Sequence, residues 1–69
     1  MRRPVLITLD GGQLILNALF VEAVCPLKNG SEVYTIGSAS PYVVSDTPDE
    51  VVTSIARAFT DPITGKLRP

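Results

Sequence analysis

The feature that most restricts the fold is Asp10-Gly11-Gly12-Gln13, a turn signal between two runs rich in Val, Ile, Leu and Thr. Asp-Gly or Gly-Gly between such runs indicates a β-hairpin. Because side chains alternate between faces along a strand, the choice of loop residues determines which residues lie on each face of this hairpin. With Gly11 and Gly12 as loop residues, the predicted pairs are Leu9–Leu14, Thr8–Ile15, Ile7–Leu16 and Leu6–Asn17. One predicted face then carries Val5, Ile7, Leu9, Leu14 and Leu16, and the other carries Leu6, Thr8, Ile15 and Asn17.

A second hairpin is predicted farther along the chain, followed by a short fifth strand. Residues 21–25 form a third strand and "EVYTIG" a fourth, and Asn29-Gly30 suits the positive-φ positions of a tight turn. Proline cannot donate to a ladder, so "PYVV" is expected at a sheet edge. With Asn29 and Gly30 in the loop, Cys25 lies opposite Tyr34 and Ala23 opposite Ile36 on the helix side, with Val24, Val33 and Thr35 on the other.

The C-terminal part contains the one segment typical of a helix. Thr47-Pro48-Asp49-Glu50 combines an N-cap residue, a proline at the first helical position and the T-x-x-E pattern of a capping box. Asp46, Asp49 and Glu50 also suit the positive end of the helix dipole. The predicted apolar stripe is Val52, Ile55, Ala56 and Phe59, with Val51 at its margin. Asp61-Pro62 is expected to end the helix.

These elements predict an α+β fold, a small antiparallel meander of four to five strands with one C-terminal helix packed on one face. Residues 1–60 form the single domain, and residues 61–69 are expected to be a flexible tail. A chain of 69 residues buries a modest fraction of its surface, so self-association or a partner often stabilises it.

A single helix covers one face of such a sheet and leaves the other uncovered. Burial of an apolar side chain stabilises by roughly 1.5–3 kcal/mol, and a contiguous exposed patch usually marks an interface. The alternative is that the strands curl into a half-barrel that covers both faces. The predicted protein interface on the uncovered face consists of Leu6, Ile15, Val24 and Val33.

Composition argues against catalysis and cofactors. The chain has no histidine and one cysteine, which excludes an internal disulfide, a Cys/His zinc site and a Ser-His-Asp or Cys-His nucleophile. Cys25 is expected to be an inert, buried thiol. Helix capping accounts for the acidic residues at 46–50, so no metal site and no cofactor are predicted. The expected protein is therefore not an enzyme.

The expected location is the cytoplasm. The apolar runs are far shorter than the roughly 20 residues of a bilayer span, and Pro4, Thr8 and Asp10 interrupt any signal-peptide core. A net charge of −1 makes neither a membrane patch nor a nucleic-acid footprint.

The order of turns and caps resembles that of the small flagellar FlbD-type proteins, over about residues 5 to 56. The matching stretches are Leu9-Asp10-Gly11, Leu16-Asn17, Val21-Glu22-Ala23-Val24, Val33-Tyr34-Thr35-Ile36-Gly37 and Tyr42-Val43-Val44 with Asp46-Thr47-Pro48-Asp49-Glu50-Val51. The resemblance implies a regulatory or accessory protein that acts through protein contacts. It implies no catalytic residue.

The expected function is therefore a non-enzymatic interaction module, a bacterial or phage-encoded regulator that binds another protein and self-associates as a dimer. One alternative is a nucleic-acid-binding regulator that uses Arg2, Arg3, Lys66 and Arg68. Another is a structural subunit of a larger assembly that exchanges strands along the "PYVV" edge.

Overall fold

A computed structural model of the chain describes residues 4–60 and confirms the α+β class. The strands form two antiparallel sheets rather than one, a β1-β2 hairpin and a second sheet of order β3-β4-β5. The predicted tail at 61–69 lies outside the described residues. Within residues 4–60, no helix is both long and apolar enough to cross a bilayer. The elements are β1 (Leu6–Leu9), β2 (Leu14–Asn17), β3 (Val21–Leu27), β4 (Gly30–Thr35), β5 (Tyr42–Val44) and α1 (Pro48–Ala58).

The first hairpin forms with the predicted register. All four predicted pairs are present, and the turn is a 3-10 segment, Asp10–Gly12, in which Gln13 N donates to Asp10 O at 3.2 Å. The predicted inner face is also confirmed, since Ile7 and Leu9 are buried, with Val5, Leu14 and Leu16 packed against the core.

A second 3-10 segment, Ala18–Phe20, separates the two sheets. The side-chain oxygen of Asn17 accepts a hydrogen bond from Leu19 N at 3.0 Å and caps this turn. Ala18 N donates to the carbonyl oxygen of Val5 at 2.6 Å, which holds the turn against the residue that precedes β1. The turn redirects the chain, so β3 pairs with β4 and not with β2.

The second hairpin forms in a register different from the predicted one. Lys28 and Asn29 are the loop residues, and Gly30 begins β4 opposite Leu27. Cys25 consequently lies opposite Glu32 rather than Tyr34. The reason is steric, because the Val44 backbone passes so close to Gly30 that no side chain fits there. Among the strands of residues 4–60 the fifth strand has the predicted edge position, next to β4 in the order β3-β4-β5.

The helix begins at the predicted capping box and closes one core shared by both sheets. Glu50 N donates to Thr47 Oγ1 at 3.2 Å, and Thr47 N donates to Glu50 Oε1 at 2.8 Å. The predicted stripe is confirmed for Ile55 and Phe59, which pack against the core. It is wrong for Val52 and Ala56, which are exposed, and Val51 is fully buried rather than marginal. Because α1 packs on both β1 and β3, the helix is oriented by two sheets and not by one. The core comprises Ile7, Leu9, Ala18, Val33, Val44 and Val51.

Two aspartates lock the first hairpin to the link between β5 and α1. Asp10 N donates to Asp46 Oδ1 at 2.6 Å, and Ser45 N donates to Asp10 Oδ1 at 2.9 Å. The buried Ser31 hydroxyl donates to Asp46 O at 2.7 Å and extends the lock to β4. Asp10 has φ 58°, a left-handed conformation that aspartate and asparagine tolerate better than most residues. This Asp10–Asp46 lock therefore connects both sheets through polar groups.

The lock predicts a specific acid sensitivity. The Ser45 backbone N–H, and then the Ser45 side chain, lower the pKa of Asp10 below its usual 3.8. A carboxyl group whose pKa is lower in the folded chain than in the unfolded chain stabilises the fold at pH values above its unfolded-state pKa. This contribution is lost as the pH falls through the folded-state pKa. We expect Asp10→Asn to lose less stability than the wild type on acidification below about pH 4, measured by urea denaturation. Asparagine keeps the left-handed backbone and an acceptor oxygen. Glu22→Gln, which removes an exposed acid outside the lock, serves as control; parallel curves for wild type and Asp10→Asn would contradict the prediction.

Candidate functional site

One face of the larger sheet points away from the core that the described residues 4–60 form, and the strand register sets which residues belong to that face. Val33 pairs with Val24 on one side and Tyr42 on the other, and Val33 is 0% exposed in the core. Neighbouring residues in each strand point the opposite way. The six residues that share this opposite side, called here the outer face, are Ala23, Cys25, Leu27, Glu32, Tyr34 and Val43.

The outer face forms a contiguous apolar patch with one formal charge. Cys25, Glu32 and Val43 make one cross-strand row, with Cys25 opposite Glu32 and Glu32 opposite Val43. Ala23 and Tyr34 make the adjacent row. Val43 is 66% exposed, Ala23 and Tyr34 are also exposed, and Cys25 and Glu32 are half-buried. Directly opposed side chains are within contact distance, so these exposed groups act as a surface and not as isolated residues.

Glu32 interacts with Tyr34 on this face. Tyr34 Oη donates to Glu32 Oε1 at 3.3 Å. The negative charge of Glu32 is the main cause of a raised pKa at Tyr34, with smaller contributions from lost solvation, the hydrogen bond and Cys25. A raised pKa keeps the phenol protonated over the physiological range. Tyr34 is thus a neutral donor that orients the carboxylate within the apolar patch.

The first hairpin presents a second exposed face, the hairpin outer face, formed by Leu6, Thr8, Ile15 and Asn17. Leu6 is 59% exposed and Ile15 is 62% exposed. Leu6 lies opposite Asn17 and Thr8 opposite Ile15, so the two aliphatic side chains are diagonal neighbours. None of the four side chains carries a charge. Leu19 and Phe20, in the 3-10 segment that follows β2, are exposed as well.

The four residues of the predicted interface do not share one face. Leu6 and Ile15 are exposed as predicted, but Val33 is buried at the centre of the core and Val24 is half-buried against it. The prediction was wrong for these two because it placed Tyr34 and Cys25 on the helix side. The same assignment would place Glu32 on the helix side as well, and burying its carboxylate without a partner is energetically costly. The position of Glu32 in the middle of an apolar strand was the sequence signal that could have identified the outer face.

A shallow polar cleft of about 390 Å³ runs along one side of α1, from its first turn to its last. Two of its three carboxylates are already engaged, because Asp46 accepts a hydrogen bond from Asp10 N and Glu50 accepts one from Thr47 N. In the described part of the chain, no three His, Cys, Asp or Glu side chains come together as a metal site would require. The cleft is lined by Asp46, Asp49, Glu50, Thr53, Ser54 and Arg57.

The basic residues of the nucleic-acid alternative, Arg2, Arg3, Lys66 and Arg68, lie outside residues 4–60. Within that range the basic side chains are Lys28, in the β3–β4 turn, and Arg57, in the last turn of α1. Comparisons with protein-family models, with curated proteins and with solved structures find no match to this chain. The resemblance to FlbD-type proteins therefore stays a prediction.

Proposed function

We propose that this chain is a non-enzymatic, cytoplasmic interaction module that binds and modulates another protein through one sheet and self-associates through the other. The observation that supports this most strongly is the pair of exposed sheet faces, each of which brings large apolar side chains together as cross-strand neighbours. The shared turn and cap residues of FlbD-type proteins are the basis for the regulatory part of the proposal.

The two faces differ in charge, and this difference suggests a division of roles. The hairpin outer face has no formal charge, so two copies can meet there without bringing like charges together. The outer face of the larger sheet carries Glu32 near its centre. Like charges apposed across an interface oppose association, so a second copy fits the hairpin and a different protein fits the larger sheet.

Self-association is expected to be weak. A standard interface uses about 20–30 residues on each side, whereas the hairpin outer face offers four, extended by Leu19 and Phe20. An interface of this size corresponds to dissociation constants in the micromolar range or above, on the order of 10–1000 µM.

We expect Ile15→Lys to convert the dimer to a monomer, because it places like charges together across the dimer interface. Sedimentation equilibrium up to about 1 mM chain measures the effect, with circular dichroism to verify folding. Val43→Lys adds the same charge at a similarly exposed strand position on the other sheet and should leave the dimer intact. A wild-type chain that is monomeric throughout, or a dimer that survives Ile15→Lys, would contradict self-association through this face. Growth into larger species with concentration would indicate assembly along the β5 edge instead.

A further inference from the structure

We propose that the outer face of the larger sheet binds a protein segment whose apolar side chains surround one arginine or lysine, and that this cation pairs with Glu32. The inference rests on the proposed function and specifies the chemistry of the partner. It follows from the position of one carboxylate within an apolar surface.

Glu32 lies where a covering partner would remove it from water. Cys25 is its cross-strand neighbour on one side and Val43 on the other. Tyr34, two residues along β4 on the same face, contacts its carboxylate through the phenol. Glu32 is already half-buried in the free chain. Any apolar surface that covers the patch must therefore also cover this charge.

Covering the charge without compensation would oppose binding. Desolvation of an ion in a protein costs several kcal/mol, and the cost is offset only where an opposite charge and further hydrogen bonds are supplied. A carboxylate has about four acceptor positions, and Tyr34 Oη occupies one of them at 3.3 Å. The remaining positions match the paired N–H donors of an arginine, or the ammonium group of a lysine.

The same charge disfavours a second copy of this chain as the occupant. A face-to-face pair would place two Glu32 carboxylates in one poorly solvated interface, and the described outer face contributes no basic side chain to separate them. Like charges at short distance in such surroundings repel strongly. Charge complementarity therefore selects a different protein, with a cation placed among apolar side chains.

Glu32 has a competing explanation as a charge that only prevents an apolar sheet from self-associating. The two explanations differ in their consequences for Glu32→Gln. A partner-binding carboxylate loses its preference for basic ligands on neutralisation, and the chain stays in its original oligomeric state. A purely protective carboxylate leaves ligand preference unchanged and increases self-association.

The test is selection of a random peptide library displayed on phage against the full chain, with wild type, Glu32→Gln and Glu32→Lys as parallel targets. We expect arginine or lysine flanked by apolar residues to be enriched on the wild type, lost on Glu32→Gln and replaced by acidic residues on Glu32→Lys.

A selected peptide is then synthesised with its basic residue and with glutamine in its place. The basic form should bind the wild type about tenfold more tightly and lose that advantage on Glu32→Gln. Glu22→Gln, an acid outside the face, should behave as the wild type.

Amide chemical shifts recorded during the titration locate the bound peptide. Changes confined to strands β3, β4 and β5 at outer-face positions are expected. Peptides that bind there without a basic residue, or with equal affinity for wild type and Glu32→Gln, would overturn the inference while leaving the proposed function in place. Increased self-association of Glu32→Gln with unchanged peptide affinity would also overturn the inference and leave the proposed function in place. Failure of every peptide to bind the outer face would count against the proposed function itself.

Discussion

Gly30→Ala is expected to destabilise the protein by about 3 kcal/mol or more, enough to unfold much of the population. A β-carbon at Gly30 would collide with the Val44 carbonyl oxygen, lie 3.1 Å from its carbonyl carbon and 3.2 Å from Ser45 Cα. All three are backbone atoms, which cannot rotate aside as a side chain does. The φ of 148° adds strain for any residue with a side chain. Relief would require β5 to separate from β4 and carry the Asp10–Asp46 lock with it.

Urea denaturation followed by circular dichroism measures this effect. Gly37→Ala is the matched control, because Gly37 also has a positive φ, 89°, but no atom lies within 4 Å of the added carbon. Its expected cost is the conformational strain alone, about 1–2 kcal/mol. Equal destabilisation by the two variants would show that the close approach of Val44 to Gly30 is not what restricts this position.

Val33→Asp is expected to remove much or all of the folding stability. Val33 is 0% exposed, and a carboxylate there would lose its hydration without gaining a cation or a donor. The expected cost is about 4 kcal/mol or more, against a total stability of roughly 3–10 kcal/mol for a chain of this length. Loss of the far-ultraviolet circular dichroism signal, with rapid exchange of the β4 amides, would report the unfolding.

Val43→Asp provides the control for Val33→Asp in the same sheet with the same change of side chain. Val43 is 66% exposed on the outer face, so its aspartate stays hydrated, and the expected change in stability is within about 0.5 kcal/mol. If Val33→Asp folded as well as Val43→Asp, Val33 would belong to an exposed surface, as the sequence pattern predicts. The assignment of the two faces of the sheet would then be reversed.

Local signals predicted the first hairpin and the helix start correctly because their determinants are adjacent in sequence. The glycine pair between two β-rich runs defined the loop, and the counted pairs follow from it. The Thr47 and Glu50 cap is likewise a four-residue motif whose partners are fixed by helix geometry.

The faces of the larger sheet depended on information that no local motif carries. Asn29-Gly30 resembles a turn, but the proximity of the Val44 backbone, 14 residues later, requires Gly30 in the strand. The 3-10 segment at Ala18–Phe20 then divides the strands between two sheets, so one helix can close a core against both. Because of this division Leu6 and Val33 do not share a face, and Tyr34 lies on the outer face rather than on the helix side.

The Asp10–Asp46 lock also bears on how the chain folds. Each hairpin joins neighbouring segments, whereas the lock joins residues separated by 35 and 36 positions. Closing a loop of that length costs entropy that increases with (3/2)RT ln n, or about 0.6 kcal/mol for each doubling. The hairpins can therefore form from local contacts, whereas the lock forms only when the first hairpin docks on the link between β5 and α1, a long-range contact of the kind that slows folding. An interaction absent from the transition state slows unfolding without changing the folding rate, so a lock that closes after docking prolongs the lifetime of the native state.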